Sequence, residues 1–303
     1  MLLCLLCDLL LRLLPVLVVL VLLLITVVAH VTARKMPNLH RHEEEKYFTG
    51  DKGEQVPFPS IHEPPERDLS VVVPAYNEET RLPVMMEEAM EFLEKRQVAM
   101  NYTKRYGSNK VRVLTLVKNR GKGGAVRMGT LVARGKAVLM ADADGATKFA
   151  DLEGVEGGLE GLKPWPDNMA ISCGSRAHLE EESIAQRSFF RTVLMYGFHF
   201  LVWFLCVRGV KDTQCGFKLF TREAAARTFT ALHVDRWAFD VELLYIAQCL
   251  KIPIAEVAVN WTEIEGSKLV PFWSWLQMGQ DLLFIRLRYL TGAWKIDTTG
   301  KLN

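Results

Sequence analysis

Asp142 and Asp144 are the residues that most plainly invite chemistry. They stand two apart at the end of an apolar run, Ala137-Val-Leu-Met-Ala, and Gly145 follows them. Residues i and i+2 of a strand lie on the same side, so the two carboxylates converge and repel unless a cation sits between them. Hard divalent ions take oxygen ligands, and Mg2+ or Mn2+ commonly bridges protein carboxylates to substrate phosphates. Gly145 lets the backbone turn away. A solvated turn after a strand is the plainer alternative, because Asp and Gly are common turn residues.

Basic side chains form the complementary set. Arg120 and Lys122 sit in a Gly-rich turn ahead of a helix, and helix N-termini bind phosphate through free N–H groups and the dipole; an ordinary surface turn is the alternative. Arg176, Arg187 and Arg191 gather near a second apolar run. Arginine holds phosphate bidentately, while plain interfacial arginines are the other reading. With 37 Lys and Arg against 35 Asp and Glu the formal charge is +2, so no long-range field argues for nucleic acid. The six cysteines (Cys4, Cys7, Cys173, Cys206, Cys215, Cys249) show no metal-ligand spacing beyond a C-x-x-C inside a Leu-rich run. They read as buried reduced thiols of a cytosolic body.

The elements that position these groups follow from periodicity. Strands are expected at Leu69–Val73, Val111–Val117, Ala137–Ala141 and Ala170–Cys173. Helices are expected over Glu79–Arg105, where Leu82, Met85, Met86, Ala89, Met90 and Leu93 recur at three-four spacing, and from Gly121 to Ala133. Alternating strand and helix favours an α/β fold with a mainly parallel sheet, which binds ligands beyond the carboxyl ends of its strands. Leu13–Ala33 is long enough to span a bilayer, and reads as an uncleaved anchor more than as a signal peptide. The basic residues after it (Arg34, Lys35, Arg41, Lys46) place the body in the cytosol. Residues 34–66 read as a tether. Phe189–Val207 and Pro271–Leu290 read as helices lying in the membrane interface rather than spanning it; a buried core helix is the alternative for the second.

The ordered set Val71-Val-Val-Pro-Ala-Tyr-Asn-Glu, Lys118-Asn-Arg-Gly-Lys-Gly-Gly-Ala, Ala141-Asp-Ala-Asp-Gly, Gly174-Ser-Arg, Asp212-Thr-Gln-Cys-Gly-Phe-Lys and Trp237-Ala-Phe-Asp-Val-Glu resembles family 2 of the inverting glycosyltransferases, in its polyisoprenyl-phosphate branch. The resemblance runs from Leu69 to Trp294. It implies a GT-A-type fold over residues 67–265, with residues 1–33 as a transmembrane anchor, 34–66 as linker and 266–303 as membrane-interface helices. It further implies a donor pocket at Pro74, Tyr76, Asn77 and Glu78, joined by Asn119, Gly121, Lys122 and Asp142. Asp142 and Asp144 would hold Mg2+ or Mn2+ on the donor pyrophosphate. Asp212 and Gln214 would lie at the transfer centre, with Asp240 assisting the sugar, although a solvated acid at a helix N-terminus also explains Asp240. Arg176, Arg187, Arg191 and Lys268 would hold the acceptor phosphate, with Gly266-Ser-Lys268 as a lid.

The implied reaction is transfer of glucose from UDP-glucose to dolichyl phosphate with inversion, at the endoplasmic reticulum membrane. Mannose from GDP-mannose, or a non-catalytic isoform, are the alternatives. One feature of the family is missing. Relatives carry a further strand between the first helix and Asn-Arg-Gly, ending in a Val-Asp-Asp-Gly-Ser-like motif whose acids contact the base and ribose. No such motif occurs between Glu79 and Lys118. This reads as an internal deletion that costs the sheet a strand and weakens the donor site.

Overall fold

A computed structural model describes residues 2–33, 39–96, 107–179, 189–262 and 271–297. Helix α1, Leu2–Val31, is the one helix among the described residues long and apolar enough to cross a membrane, over Leu13–Val31. A hairpin of β1 (Tyr47–Thr49) and β2 (Gln55–Pro57) precedes the main sheet. The sheet comprises β3 (Arg67–Val72), β4 (Gly135–Ala141), β5 (Ile171–Ser175), β6 (Phe217–Thr221) and β7 (Ile254–Ala258), in the order β3-β4-β6-β5-β7. Only β6 runs against the others: β3 pairs with β4 and β5 with β7 in parallel, while β6 is antiparallel to both its neighbours. The sheet is therefore mainly parallel, in a GT-A-type α/β fold.

Strand alternation builds a core on each face. From β4, Val138 and Met140 point one way with Phe220, Ile171 and Cys173; Leu139 and Ala141 point the other way with Phe217 and Leu219. Helices α6 (Arg222–Ala231), α7 (Phe239–Cys249) and α8 (Pro271–Leu290) cover the first face, together with Val126 of α3 (Gly121–Thr130). Helices α2 (Leu82–Arg96) and α4 (Leu152–Glu160) cover the second. Helix α5 (Phe189–Leu205) packs on α8, and α8 on α1. Its residues Tyr196, Phe200, Trp203 and Phe204 are exposed, which gives this side an aromatic surface.

The structure departs from the sequence reading at two places, and a third lies partly outside the described residues. Val111–Val117 is not a strand: it joins no ladder, and Val113 is 72% exposed. A strand is held by its neighbours' backbone groups, and among the described residues β3 is the sheet edge, paired with β4 alone. The helix expected to reach Arg105 is described only to Arg96, and residues 97–105 lie outside the described ones. The stretch read as a tether is folded. Glu43–Lys46 forms a 3-10 turn, the hairpin follows, and Glu45, Phe48 and Ile61 are buried. Strands β6 and β7 went unread: β6 hides a lysine among its apolar residues, and β7 is short.

Candidate active site

The carboxyl ends of the strands open on one cavity of 2350 Å3. Pro74, Tyr76 and Glu78 line it from the loop after β3, Asn119, Gly121 and Lys122 from the turn before α3, Asp142 and Asp144 from the end of β4, and Arg176, Gln214 and Asp240 from the far side. Asn77 is in the same loop with left-handed backbone (φ 53°). Glu78 is fixed by Arg81, whose Nε donates to its Oε2 at 2.7 Å. Arg187 and Lys268 lie outside the described residues; Arg191 is in the first turn of α5, and its side chain is not described.

The Gly-rich turn has its shape for steric reasons. Gly121 has φ 75°, and a Cβ there would lie 2.4 Å from the Asp235 carbonyl oxygen. Asn119 caps the turn by accepting from the Gly121 N–H at 2.8 Å. The turn delivers Lys122, whose Nζ stands 2.8 Å from Asp142 Oδ1 and donates to Oδ2 at 2.9 Å, with the Trp237 ring 5.7 Å away. Burial alone would lower the Lys122 pKa, but Asp142 and Asp240 outweigh it and hold the ammonium above its ordinary value.

Asp142 is tightly housed. Its N–H donates to the Gly216 carbonyl, and a Cβ on Gly216 would fall 2.0 Å from its Oδ2. Its Oδ1 is buried without a hydrogen-bond partner, leaving Lys122 there as an ion-pair contact only. Asp144 accepts from the Ala146 N–H at 3.0 Å, and Gly145 makes the bend with φ 71°. Among the described residues no three His, Cys, Asp or Glu converge on a metal position. Two carboxylates, one with an oxygen unclaimed by any hydrogen bond, suit an ion completed by substrate phosphates, the usual habit of Mg2+.

Behind this front stand two charge pairs. Arg176 holds Asp212 bidentately, Nε to Oδ2 at 2.7 Å and Nη2 to Oδ1 at 2.8 Å, and its backbone N–H adds a third bond at 2.9 Å. Burial would raise the Asp212 pKa, but Arg176 prevails and holds it below the ordinary carboxylate range. The Asp212 N–H donates in turn to Glu256 of β7 at 2.8 Å, and the Trp261 ring lies 5.4 Å from the Arg176 guanidinium. Deeper still, Lys218 of β6 is wholly buried and donates to Asp240 Oδ1 and the Cys215 carbonyl, each at 2.6 Å. Its burial is outweighed by Asp240, so its pKa is raised. Asp240 is therefore neither a solvated acid nor a free one.

Sequence reasoning missed Lys218, Glu256, Trp237 and Trp261. Lys218 had a signal: a lysine between Phe217 and Leu219 on a buried strand demands a carboxylate. Glu256 had none. The cysteines Cys173, Cys206 and Cys215 are free and buried, and burial pushes the first two thiols up to about 12 and the third to about 11; Cys249 is free but exposed, against the expectation of burial.

Comparison with known proteins gives consistent relatives. The family described as glycosyl transferase family 2 matches residues 70–229. The dolichyl-phosphate beta-glucosyltransferase of Homo sapiens is 68% identical over 301 residues, covering 92% of this chain and 93% of its own length. Its Drosophila melanogaster counterpart is 56% identical, covering 88% and 89%, and that of Saccharomyces cerevisiae 36% identical, covering 88% and 82%. Among solved structures, glucosyl-3-phosphoglycerate synthase from Mycobacterium tuberculosis, in complex with Mn2+, UDP-glucose and phosphoglyceric acid, is 17% identical with a TM-score of 0.49, covering 75% of this chain and 80% of that one. The human alignment has 301 positions, yet 92% of 303 residues is about 279, so about 22 positions face no residue of this chain. The Drosophila alignment leaves a similar shortfall, 290 positions against about 267 residues, which is 88% of 303.

Proposed function

Because this chain belongs to glycosyl transferase family 2, we propose that it transfers glucose from UDP-glucose to dolichyl phosphate with inversion, forming dolichyl β-D-glucosyl phosphate. The observation that carries this reading is the single cavity that joins Lys122, Asp142 and Asp144 on one side to Arg176 and Asp240 on the other. The names of the curated relatives favour glucose over mannose.

The nucleophile is a phosphate oxygen of the acceptor. A phosphate monoester has a second pKa near ~6 and is largely dianionic at neutral pH, so it needs little help from a base. Asp212 is a poor proton acceptor in any case, since it holds Arg176 bidentately with its pKa depressed. Its role is to aim Arg176, whose remaining N–H donors serve the acceptor phosphate. Arg187, Arg191 and Lys268 complete that anion site, and Gln214 and Asp240 face the transferred sugar. Pro74, Tyr76, Asn77, Glu78 and Asn119 contact the nucleotide. Asp142 and Asp144 would hold a divalent ion, Mg2+ or Mn2+, which supplies neutralisation of the leaving diphosphate. Lys122 adds a fixed positive charge beside the same oxygens.

The anchor α1 and the aromatic face of α5 bring this cavity to a lipid-borne acceptor, with the body on the cytosolic side of the endoplasmic reticulum membrane. The decisive assay is transfer of radiolabel from UDP-glucose to dolichyl phosphate by membranes carrying the chain. Label reaching a lipid product only from GDP-mannose would reverse the donor assignment. Protease added outside sealed microsomes should digest the body; full protection would overturn its cytosolic side.

A second reading has its own observation. The cavity extends between β3, the apolar side of α2 (Met86, Ala89, Met90, Leu93) and the unpaired segment 111–116. This is the side on which the expected acidic strand is lacking. It favours a chain with an incomplete donor pocket and reduced turnover, and in the limit a catalytically impaired isoform.

A further inference from the structure

The turn that delivers Lys122 is reached by a chain segment that no strand holds. Residues 108–120 join no ladder, and the cavity separates 111–116 from β3. From the sheet side Arg67 and Arg134 reach only its start, both donating to Asn109; farther along, the segment is gripped from its other side, by the arm that follows the membrane anchor. Asp51 accepts from the Ser108 N–H at 2.5 Å. The Arg112 guanidinium lies 4.1 Å over the ring of Phe48, which is buried and packs on Phe58 with centroids 5.1 Å apart. Glu45 closes the grip where it matters most. Its Oε1 accepts from the Val117 N–H at 3.0 Å, and its Oε2 accepts from Arg120 Nη2 at 2.7 Å and from the His42 N–H at 3.1 Å.

Glu45 has no exposed surface. A wholly buried carboxylate is costly unless it is paired and hydrogen-bonded, and this one has a cation and two amides. Those partners also hold its pKa below the ordinary range, against the rise that burial alone would cause. Its neighbours in the same acidic run fare differently: Glu43 is largely exposed and pairs with Lys46 at the surface. Of the two, only Glu45 reaches the segment that carries the donor-side residues.

We infer that Glu45 is a positioning residue for the donor site: it clamps Val117 and Arg120 so that Asn119, Gly121 and Lys122 stand at the cavity, and the juxtamembrane arm is thereby a working wall of that site. The inference rests on the donor assignment proposed above. The clamp acts mainly on ground-state placement of Asn119 and Gly121, while Lys122 is also held by Asp142, so its loss raises KM more than it lowers kcat.

The test uses the full chain in lipid nanodiscs, with UDP binding, UDP-glucose kinetics and amide hydrogen exchange as readouts. Glu45→Gln should weaken UDP binding and raise KM by about tenfold, as expected for loss of one charge-assisted contact. Saturated kcat should stay within about twofold. Exchange should accelerate over residues 117–124, and the exposed control Glu43→Gln should change none of these. Arg120→Gln should reproduce the effect, and the double variant should be no worse than either single one. Should Glu45→Gln destabilise the whole chain, Glu45→Asp, which keeps the charge but shortens its reach to Val117 and Arg120, carries the same comparison. Unchanged UDP affinity together with unchanged exchange over 117–124 would overturn the inference, as would equal falls in kcat and kcat/KM. If the unaltered chain binds no UDP, the donor assignment fails; local acceleration of exchange in Glu45→Gln would then still support the clamp, and its absence would still overturn it.

Discussion

The two walls of the cavity are held in opposite ways. On the acceptor wall each functional group is gripped by the sheet and its covering helix: Arg176 by Asp212, Asp212 by Glu256 of β7, and Asp240 by Lys218 of β6. Lys218 lies on the central strand β6 and Asp240 at the start of α7, Arg176 directly follows β5, and Glu256 stands on β7, the other edge of the sheet; Asp212, Lys218 and Asp240 are buried. On the donor wall β3 is an edge, residues 111–117 have no ladder, and the turn at Asn119–Lys122 depends on a side chain from outside the sheet. Catalytic groups need placement within about half an ångström. The acceptor wall has the means to supply that; on the donor side, among the described residues, β3 has no strand neighbour beyond β4. Chemistry and membrane engagement are thus built more firmly than nucleotide recognition.

The sharpest way to test the shared floor between the walls is Asp144→Ala. It removes one of the two carboxylates proposed to hold the metal and, among the described residues, disturbs one hydrogen bond, from Ala146. Metal-dependent turnover should fall by at least about a thousandfold, while the thermal midpoint moves little. Normal activity in saturating Mn2+ would show that the metal assignment is wrong. Next in size is a break of the acceptor wall. Asp240→Ala strands the wholly buried Lys218 charge, and removal of one partner of a buried pair costs about 3–5 kcal/mol. The unfolding midpoint should drop sharply, and Lys218→Met in the same chain should recover most of it. If Asp240→Ala unfolds like the parent, the pair contributes nothing to that wall.

What could be read from the sequence follows the same division. The acceptor wall was legible because its residues sit in short motifs next to apolar strands. Runs outside the acceptor wall, at Ala137–Ala141, Gly121–Ala133 and Pro271–Leu290, also correspond to β4, α3 and α8, but Asp142 and Asp144 follow β4 in a turn rather than standing on the strand, so strand alternation does not set their sides. The pairings inside that wall were not legible: Arg176–Asp212 and Lys218–Asp240 join residues from separate elements, and periodicity carries no information about such partners. Val111–Val117 misled for a physical reason. Its alternation is that of a strand, but a strand is a property of a pair, and its partner is what this chain lacks. Glu45 was hidden in a run of three glutamates whose composition reads as solvated linker.

Restoring the donor wall should raise activity less than those changes lower it, yet it distinguishes the two walls most directly. Insertion of a Val-Val-Asp-Asp-Gly-Ser strand with a helical turn after Arg96 supplies two things. It gives β3 a ladder partner and returns acids for the base and ribose. Two or three hydrogen bonds at ~1 kcal/mol each, with the regained packing, correspond to about a hundredfold in kcat/KM for UDP-glucose. Affinity for dolichyl phosphate, which depends on the other wall, should not change. Equal kcat/KM in the two chains would mean that the gap is harmless and that the nucleotide sits elsewhere in the cavity.

The smallest effect is a dependence on pH that belongs to the acceptor wall alone. Asp212 is depressed below its ordinary value because the Arg176 guanidinium and backbone N–H favour its charged form. A depressed carboxylate binds fewer protons in the folded state than in the unfolded one. Its contribution is therefore fully present above the unfolded carboxylate value, near ~4, and disappears as pH falls through the lower folded value. Arg176 is shifted upward, again because Asp212 outweighs burial, so its share is lost only in strong alkali and leaves the neutral range flat. Thermal unfolding between about pH 5 and pH 3 should then lose about 1.5–3 kcal/mol attributable to this pair, the range for hydrogen bonds to charged groups. Asp212→Asn keeps the shape, removes the titrating group and should flatten that part of the curve while lowering stability at pH 7. Asp142 is paired with Lys122 at the opening of the cavity, with part of its side chain exposed, and solvent screens such a pair. Asp142→Asn should therefore cost less stability at pH 7 than Asp212→Asn. If Asp142→Asn costs more stability at pH 7 than Asp212→Asn, the firmer of the two walls is the donor one, and the ranking given above is inverted.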